Sequence, residues 1–281
     1  MNTQNVLRIV TGLMLGISLL PQAQAITGCG NNYLTGAYGV QFSGTAMANL
    51  SSGVGGTPQL AISPVNTAAA SPLSGLAVNG FARFILDGNG NLFGSSAATV
   101  NGAWSGGSVT GAYTVNVDCS ASFTLTDAGG GVQNFSGVVV NQGDSAVLLQ
   151  TDPGSGISAT LRRTRNSCQT PDLVGTFGFQ AAGSVQSAAT AAYSSVGIIN
   201  LDGQGNLTAI ESRYADGSYV QVASSGTITV NLDCTLNMTL SPTGGSGNQV
   251  DFGGVVVNNE KEMILVQSDA GTVVSGSAIV Q

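Results

Sequence analysis

The chain has 281 residues, 42% of them hydrophobic and only 7% charged, with a formal net charge of −7. Soluble domains ordinarily carry about 25% charged residues, and an acidic chain repels a phosphate backbone, so no nucleic-acid partner is expected. The length suits two domains, and patterned apolar residues can build their cores despite 41 glycines.

Residues 1–25 place one positive charge, Arg8, before an apolar run from Ile9 to Leu20 and close on Ala23-Gln24-Ala25. That is the layout of a secretory signal cut before Ile26, so the mature protein is expected to be secreted, periplasmic or at the cell surface. The run falls short of the roughly 20 apolar residues that span a bilayer, and no stop-transfer pattern follows. The alternative is a lipoprotein. Ile26-Thr27-Gly28-Cys29 resembles a bacterial lipobox, which would anchor the chain through acyl groups on Cys29. Against it, PQAQA separates this motif from the apolar run that a lipobox normally abuts.

The rest of the chain reads as one unit used twice, at 26–163 and 166–281. LTGAYG (34–39) recurs as LVGTFG (173–178), and LDGNGNL (86–92) as LDGQGNL (201–207). TVNVDC (114–119) recurs as TVNLDC (229–234), and FSGVVVN (135–141) as FGGVVVN (252–258). The basic stretch 162–166, RRTRN, is the boundary, read as a solvated strand end and linker. The first unit alone carries a long polar stretch, 44–75, read as a low-complexity loop. Four cysteines sit at matched positions. Of the three pairings that four cysteines allow, Cys29–Cys119 with Cys168–Cys234 leaves both units equivalent and self-contained. A metal site is the alternative, but the sequence has no histidine and no C-x-x-C pair.

Alternation marks strands. Tyr113, Val115, Val117, Cys119, Ala121, Phe123 and Leu125 share one parity, and Ile228, Val230, Leu232, Cys234, Leu236, Met238 and Leu240 repeat it. The Asn, Asp and Cys in the middle suggest a tight turn that splits each run into a hairpin, with one long strand as the alternative. Turn signals at strand spacing predict about eight strands per unit and no helix. The expected fold is all-β: two tandem up-and-down antiparallel barrels, with β-sandwiches as the alternative. A transmembrane barrel is disfavoured by the 6% aromatic content.

The two DG-x-GN segments invite a calcium reading. Asp87, Asn89 and Asn91 occupy the first three ligand positions of a calcium loop; in the second unit Asp202 and Asn206 fit the first and third, with Gln204 a substitute between them. Leu92 and Leu207 then stand where such a loop needs glycine, and Ala98 and Arg213 where it needs a bidentate Glu. Hairpin turns built on glycine, with Asp and Asn capping them, are the better reading. No cofactor or metal is expected. With no histidine, Ser-His-Asp and Cys-His catalysis are excluded. Asp118, Asp233, Asp152 and Asp269 all fall in turn signals. Trp104 and Tyr219, opposite each other in the duplication, are the candidate ligand or sugar contacts.

LDGNGNL, YTVNVDC and the closing GGVVVNNEKEMILVQSDAGTVVSGSA resemble secreted bacterial proteins of unknown function that carry one or two D-G-x-G-N…Y-x-V-N-x-D-C…Q-x-D-x-G units. More distantly, the meander is similar to the small barrels of lipocalins and allene oxide cyclases, although LTGAYG stands where lipocalins carry G-x-W. The resemblance implies fold and export, not activity. The functional reading is an exported, non-catalytic tandem barrel that binds a small apolar ligand or an extracellular polymer such as a glycan. The alternative is a structural or adhesive surface protein, and an enzyme is the least supported.

Overall fold

The computed structural model describes residues 28–47, 75–186, 190–215, 217–244 and 248–281. The signal segment 1–25 and most of the 44–75 stretch lie outside the described residues. The first unit folds into β1 (Thr35–Met47), β2 (Gly75–Asp87), β3 (Asn91–Val100), β4 (Ala103–Val115), β5 (Ser120–Asp127), β6 (Val132–Val140), β7 (Ser145–Gln150) and β8 (Ser155–Arg163). The second repeats the plan. It comprises β9 (Val174–Gln186), β10 (Thr190–Asp202), β11 (Asn206–Ala215), β12 (Ser218–Val230), β13 (Thr235–Pro242), β14 (Val250–Val257), β15 (Glu262–Gln267) and β16 (Thr272–Val280).

Each unit is a closed antiparallel barrel of eight strands. Sequential neighbours pair, and β1 closes on β8 as β9 closes on β16. Closure leaves no sheet edge, which overturns the sandwich alternative. Two local expectations also change. Residues 44–47 extend β1 and Gly75 opens β2, so the ends of the polar stretch are strand, not loop. Val117 and Leu232 sit in the tight turns before β5 and β13, 77% and 70% exposed, and leave the apolar rows to which simple alternation assigned them. Cys119 and Cys234 take the positive φ that these turns need.

Inward side chains on a period of two make two cores. One end of each barrel is sealed by the segment that precedes its first strand. In the first barrel the Tyr113 hydroxyl donates to the Leu34 carbonyl at 2.7 Å, and Asn31 Oδ1 accepts the Val115 amide at 2.7 Å. In the second, Thr170 Oγ1 accepts the Val230 amide at 3.0 Å. Disulfides Cys29–Cys119 and Cys168–Cys234 fasten these segments, with Cα atoms 5.1 and 4.8 Å apart.

The barrels pack side by side through different faces. Phe81 on β2 and Ala97 on β3 pack on Val255, Val257, Ile264 and Val266 of β14 and β15. Gly39 on β1 fits only because it lacks a side chain: a Cβ there would lie 2.3 Å from Val257. At the rim, the Gly271 amide donates to the Gly102 carbonyl at 2.8 Å. The RRTRN boundary is the strand end expected of it, with Arg165 and Asn166 exposed, but it is also anchored to the second barrel. Arg162 pairs with Glu262 and Arg165 with Glu260, while the Thr164 hydroxyl donates to the Val256 carbonyl at 2.6 Å. Burial on both faces explains why β15, EMILVQ, is a continuous run where β7, SAVLLQ, leaves Val147 and Leu149 exposed.

Candidate functional site: an apolar cavity in the first barrel

Half of the first barrel, away from its disulfide, is incompletely filled. A cavity of about 50 Å³ lies among inward side chains of all eight strands, Phe42, Phe84, Phe123 and Phe135 among them. Small residues make the space: Ala82 on β2 and Ala159 on β8 stand at inward positions of the wall. Below it, Tyr38 and Tyr113 plug the disulfide end. Tyr38 donates its hydroxyl to the Gly143 carbonyl at 2.7 Å, and burial pushes its pKa up to about 12.

The other end carries the cavity's polar groups. Ser96, Gln133 and Asp127 join the lining there. Asp127 Oδ1 accepts the amides of Gly129 and Gly131 at 2.8 and 2.9 Å, holding the β5–β6 turn. Its Oδ2 is buried and has no hydrogen-bond partner among the described residues. An apolar chamber ending in one under-satisfied carboxylate oxygen suits a slender apolar chain with a hydrogen-bond donor at its head.

At the equivalent place the second barrel differs from the first in both side-chain size and charge. Tyr193 and Glu211 stand where the first barrel has the lining residues Val78 and Ser96, with Arg213 beside them at the position of Ala98, while Ala181, Gly197 and Ile199 replace Phe42, Ala82 and Phe84. Glu211 is held by Ser195 and Arg213, and Arg213 lies over the Tyr193 ring at 5.9 Å. Burial, reinforced by the Glu211 charge, raises the Tyr193 pKa. Here an ionic cluster occupies the interior, with Arg213 Nε left without a hydrogen-bond partner among the described residues.

The residues singled out from sequence lie elsewhere. Trp104 projects from the outer face of β4 onto Phe81, ring centroids 6.2 Å apart, beside the second barrel. Tyr219 lies on the outer face of β12, 71% exposed, and donates to Ser212 Oγ at 3.0 Å. The structure therefore brings neither to the cavity nor to the other. The DG-x-GN segments are turns. Asp87 accepts the amides of Asn89 and Asn91 and the Asn91 side-chain amide, and Asp202 repeats this with Gln204 and Asn206. Those bonds, the Asn91 and Asn206 side chains first, hold both carboxyls below the usual carboxylate range. Asp118 and Asp233 cap their turns through Ser120 and Thr235. Asp152 and Asp269 brace β6 and β14 from the turn after the next strand. The cavity residues escaped the sequence reading, although one signal was present: Asp127 continues the inward parity of Ala121, Phe123 and Leu125, so a carboxylate had to end that apolar row.

No family model and no curated protein sequence matches the chain. Among solved structures, the isotype 1 transferrin binding protein B from serogroup B Neisseria meningitidis superposes with a TM-score of 0.30 at 8% identity. The match covers 89% of this chain and 77% of that one. A superposition that loose carries no argument about what this chain binds or does.

Proposed function

We propose that the protein is an exported, non-catalytic binding module whose first barrel holds the apolar tail of a slender amphiphile. The observation that carries this reading is the cavity between Phe42, Phe84, Phe123 and Phe135 with the unpartnered Asp127 oxygen at its polar end. Its size selects the ligand. Apolar cavities near 150 Å³ accommodate benzene, so a space of about 50 Å³ suits the last carbons of a straight alkyl chain and rejects rings. The donor head, an ammonium or hydroxyl, pairs with Asp127. Two disulfides fit an oxidising compartment, and no helix of the described residues is long and apolar enough to cross a membrane. A thioether-linked lipid on Cys29 and the bond to Cys119 need the same sulfur, so the disulfide supports release over lipid anchoring.

Calorimetric titration of the disulfide-bonded protein with butylamine and butanol tests the proposal. Both are expected to bind. Ala82→Leu should abolish both, and Asp127→Asn should weaken the amine by about tenfold, the value of roughly 1.4 kcal/mol for a charge-assisted contact, more than the alcohol. Failure of both ligands to bind the unaltered protein, or binding indifferent to Ala82→Leu, would overturn it.

A further inference from the structure

The contact between the barrels is heterologous, one barrel presenting its β1–β2–β3 face and the other its β14–β15 face. Because the chain is a duplication, each barrel also owns the counterpart of the face it does not use. In the second barrel this is the outside of β9, β10 and β11, and in the first it is the outside of β6 and β7.

Among the described residues, both unused faces carry exposed apolar side chains. Val196, Ile198 and Tyr219 stand where the first barrel has Phe81, Arg83 and Trp104, and they are 61%, 42% and 71% exposed. Val138, Val147 and Leu149 stand where the second barrel has Val255, Ile264 and Val266, and they are 42%, 48% and 56% exposed. Isolated exposed apolar residues are ordinary, but two contiguous groups that match the two sides of an interface already formed in the molecule are not.

The glycines point the same way. Gly39 is required by the seated Val257, and its counterpart is Gly178. Neither has a positive φ, so backbone conformation demands glycine at neither position. A Cβ on Gly178 would meet nothing closer than the Gln281 side chain at 3.7 Å, so the chain's own packing does not demand it either. Gly178 leaves open the slot that a valine of a docking β6 strand would occupy. At the rim, Gly102 lies against Gly271, and a Cβ on it would be 2.6 Å from the Gly271 Cα. Glycine recurs at the counterparts Gly217 and Gly154; the positive φ of all four turns demands it, and it leaves the same backbone approach unblocked.

We infer that the β9–β10–β11 face of one molecule docks on the β6–β7 face of a second copy, repeating between chains the contact made within each. Each copy keeps one face of each kind, so the contact propagates head to tail, into a filament or, if the rotation closes, a ring. It is weaker than the contact within the chain. Ser145 and Gly143 replace Glu262 and Glu260, which removes both ion pairs, and no linker supplies the millimolar effective concentration that a short tether gives.

Sedimentation velocity of the full disulfide-bonded chain over a concentration series tests this. The unaltered protein should form species larger than the monomer as concentration rises. Ile198→Asp and Leu149→Asp, each disabling one face, should both stay monomeric alone. Their equimolar mixture should double in mass once and stop, because the faces left over are the two disabled ones. Both positions are exposed, and circular dichroism melts check that the variants fold; Val196→Asp and Val147→Asp give an independent pair. A monomer at every concentration, association of either variant alone, or no dimer in the mixture would overturn the inference.

Discussion

The two barrels share strand number, strand pairing, disulfide placement and turn chemistry, yet their interiors have opposite characters. The first leaves an apolar cavity that ends at Asp127, and the second places the cluster of Tyr193, Glu211 and Arg213 at the matching end of its interior. The common features are backbone features: alternation, positive-φ turns and Asp-capped loops. The divergent ones lie at inward side-chain positions, where a few changes of size and charge alter what a barrel encloses without disturbing the sheet. Duplication thus separates the scaffold from what it encloses.

The largest expected effect is one the barrels share. Replacing either cysteine pair with serine should cost between about 4 and 5 kcal/mol, because each bridge closes a long loop of the unfolded chain. Denaturant melts of the two double variants should give similar losses, and a large inequality would break the equivalence of the units. The interiors should then respond differently. Glu211→Ala strands Arg213 inside the second barrel and should cost about 3 kcal/mol, the lower end for a buried pair, since the Arg213 side chain is 19% exposed. Ser96→Ala, its counterpart, should change stability by less than about 0.5 kcal/mol.

Alkaline pH should come next. Tyr38 is held up to about 12 by burial, and Phe177 is its counterpart. Its folded value lies above the unfolded one, so the stability tied to its proton is intact below pH 10 and is lost as the pH climbs towards 12. The loss should amount to about 2 kcal/mol. Melts between pH 9 and 12 should show that slope flattened in Tyr38→Phe. The smallest effect concerns packing. Ala82→Leu enters the cavity and should leave stability within about 1 kcal/mol of the parent.

Much of the scaffold was legible in the sequence. The period of two in 113–125, the recurring glycine turns and the matched cysteines specify strands, hairpins and closure end by end. The cavity was not, because a chamber is a difference between summed side-chain volumes and no local pattern encodes it. The contact between barrels was half legible. EMILVQ, apolar on both parities, shows a strand buried on both faces, but nothing in it names Phe81 and Gly39 as the partners. Trp104 and Tyr219 drew attention as the aromatic pair of the duplication. Their outward parity, readable from the rows that include Val115 and Val230, places them on the barrel surface instead.

The most direct test of the central claim, an apolar cavity in one barrel and an ionic cluster at the matching place in the other, is a crystal structure of the protein pressurised with xenon, which enters empty apolar cavities. The account predicts a xenon atom between Phe42, Phe84 and Phe123 in the first barrel and none among Tyr193, Glu211 and Arg213 in the second. Xenon in neither barrel, or equally in both, would contradict it.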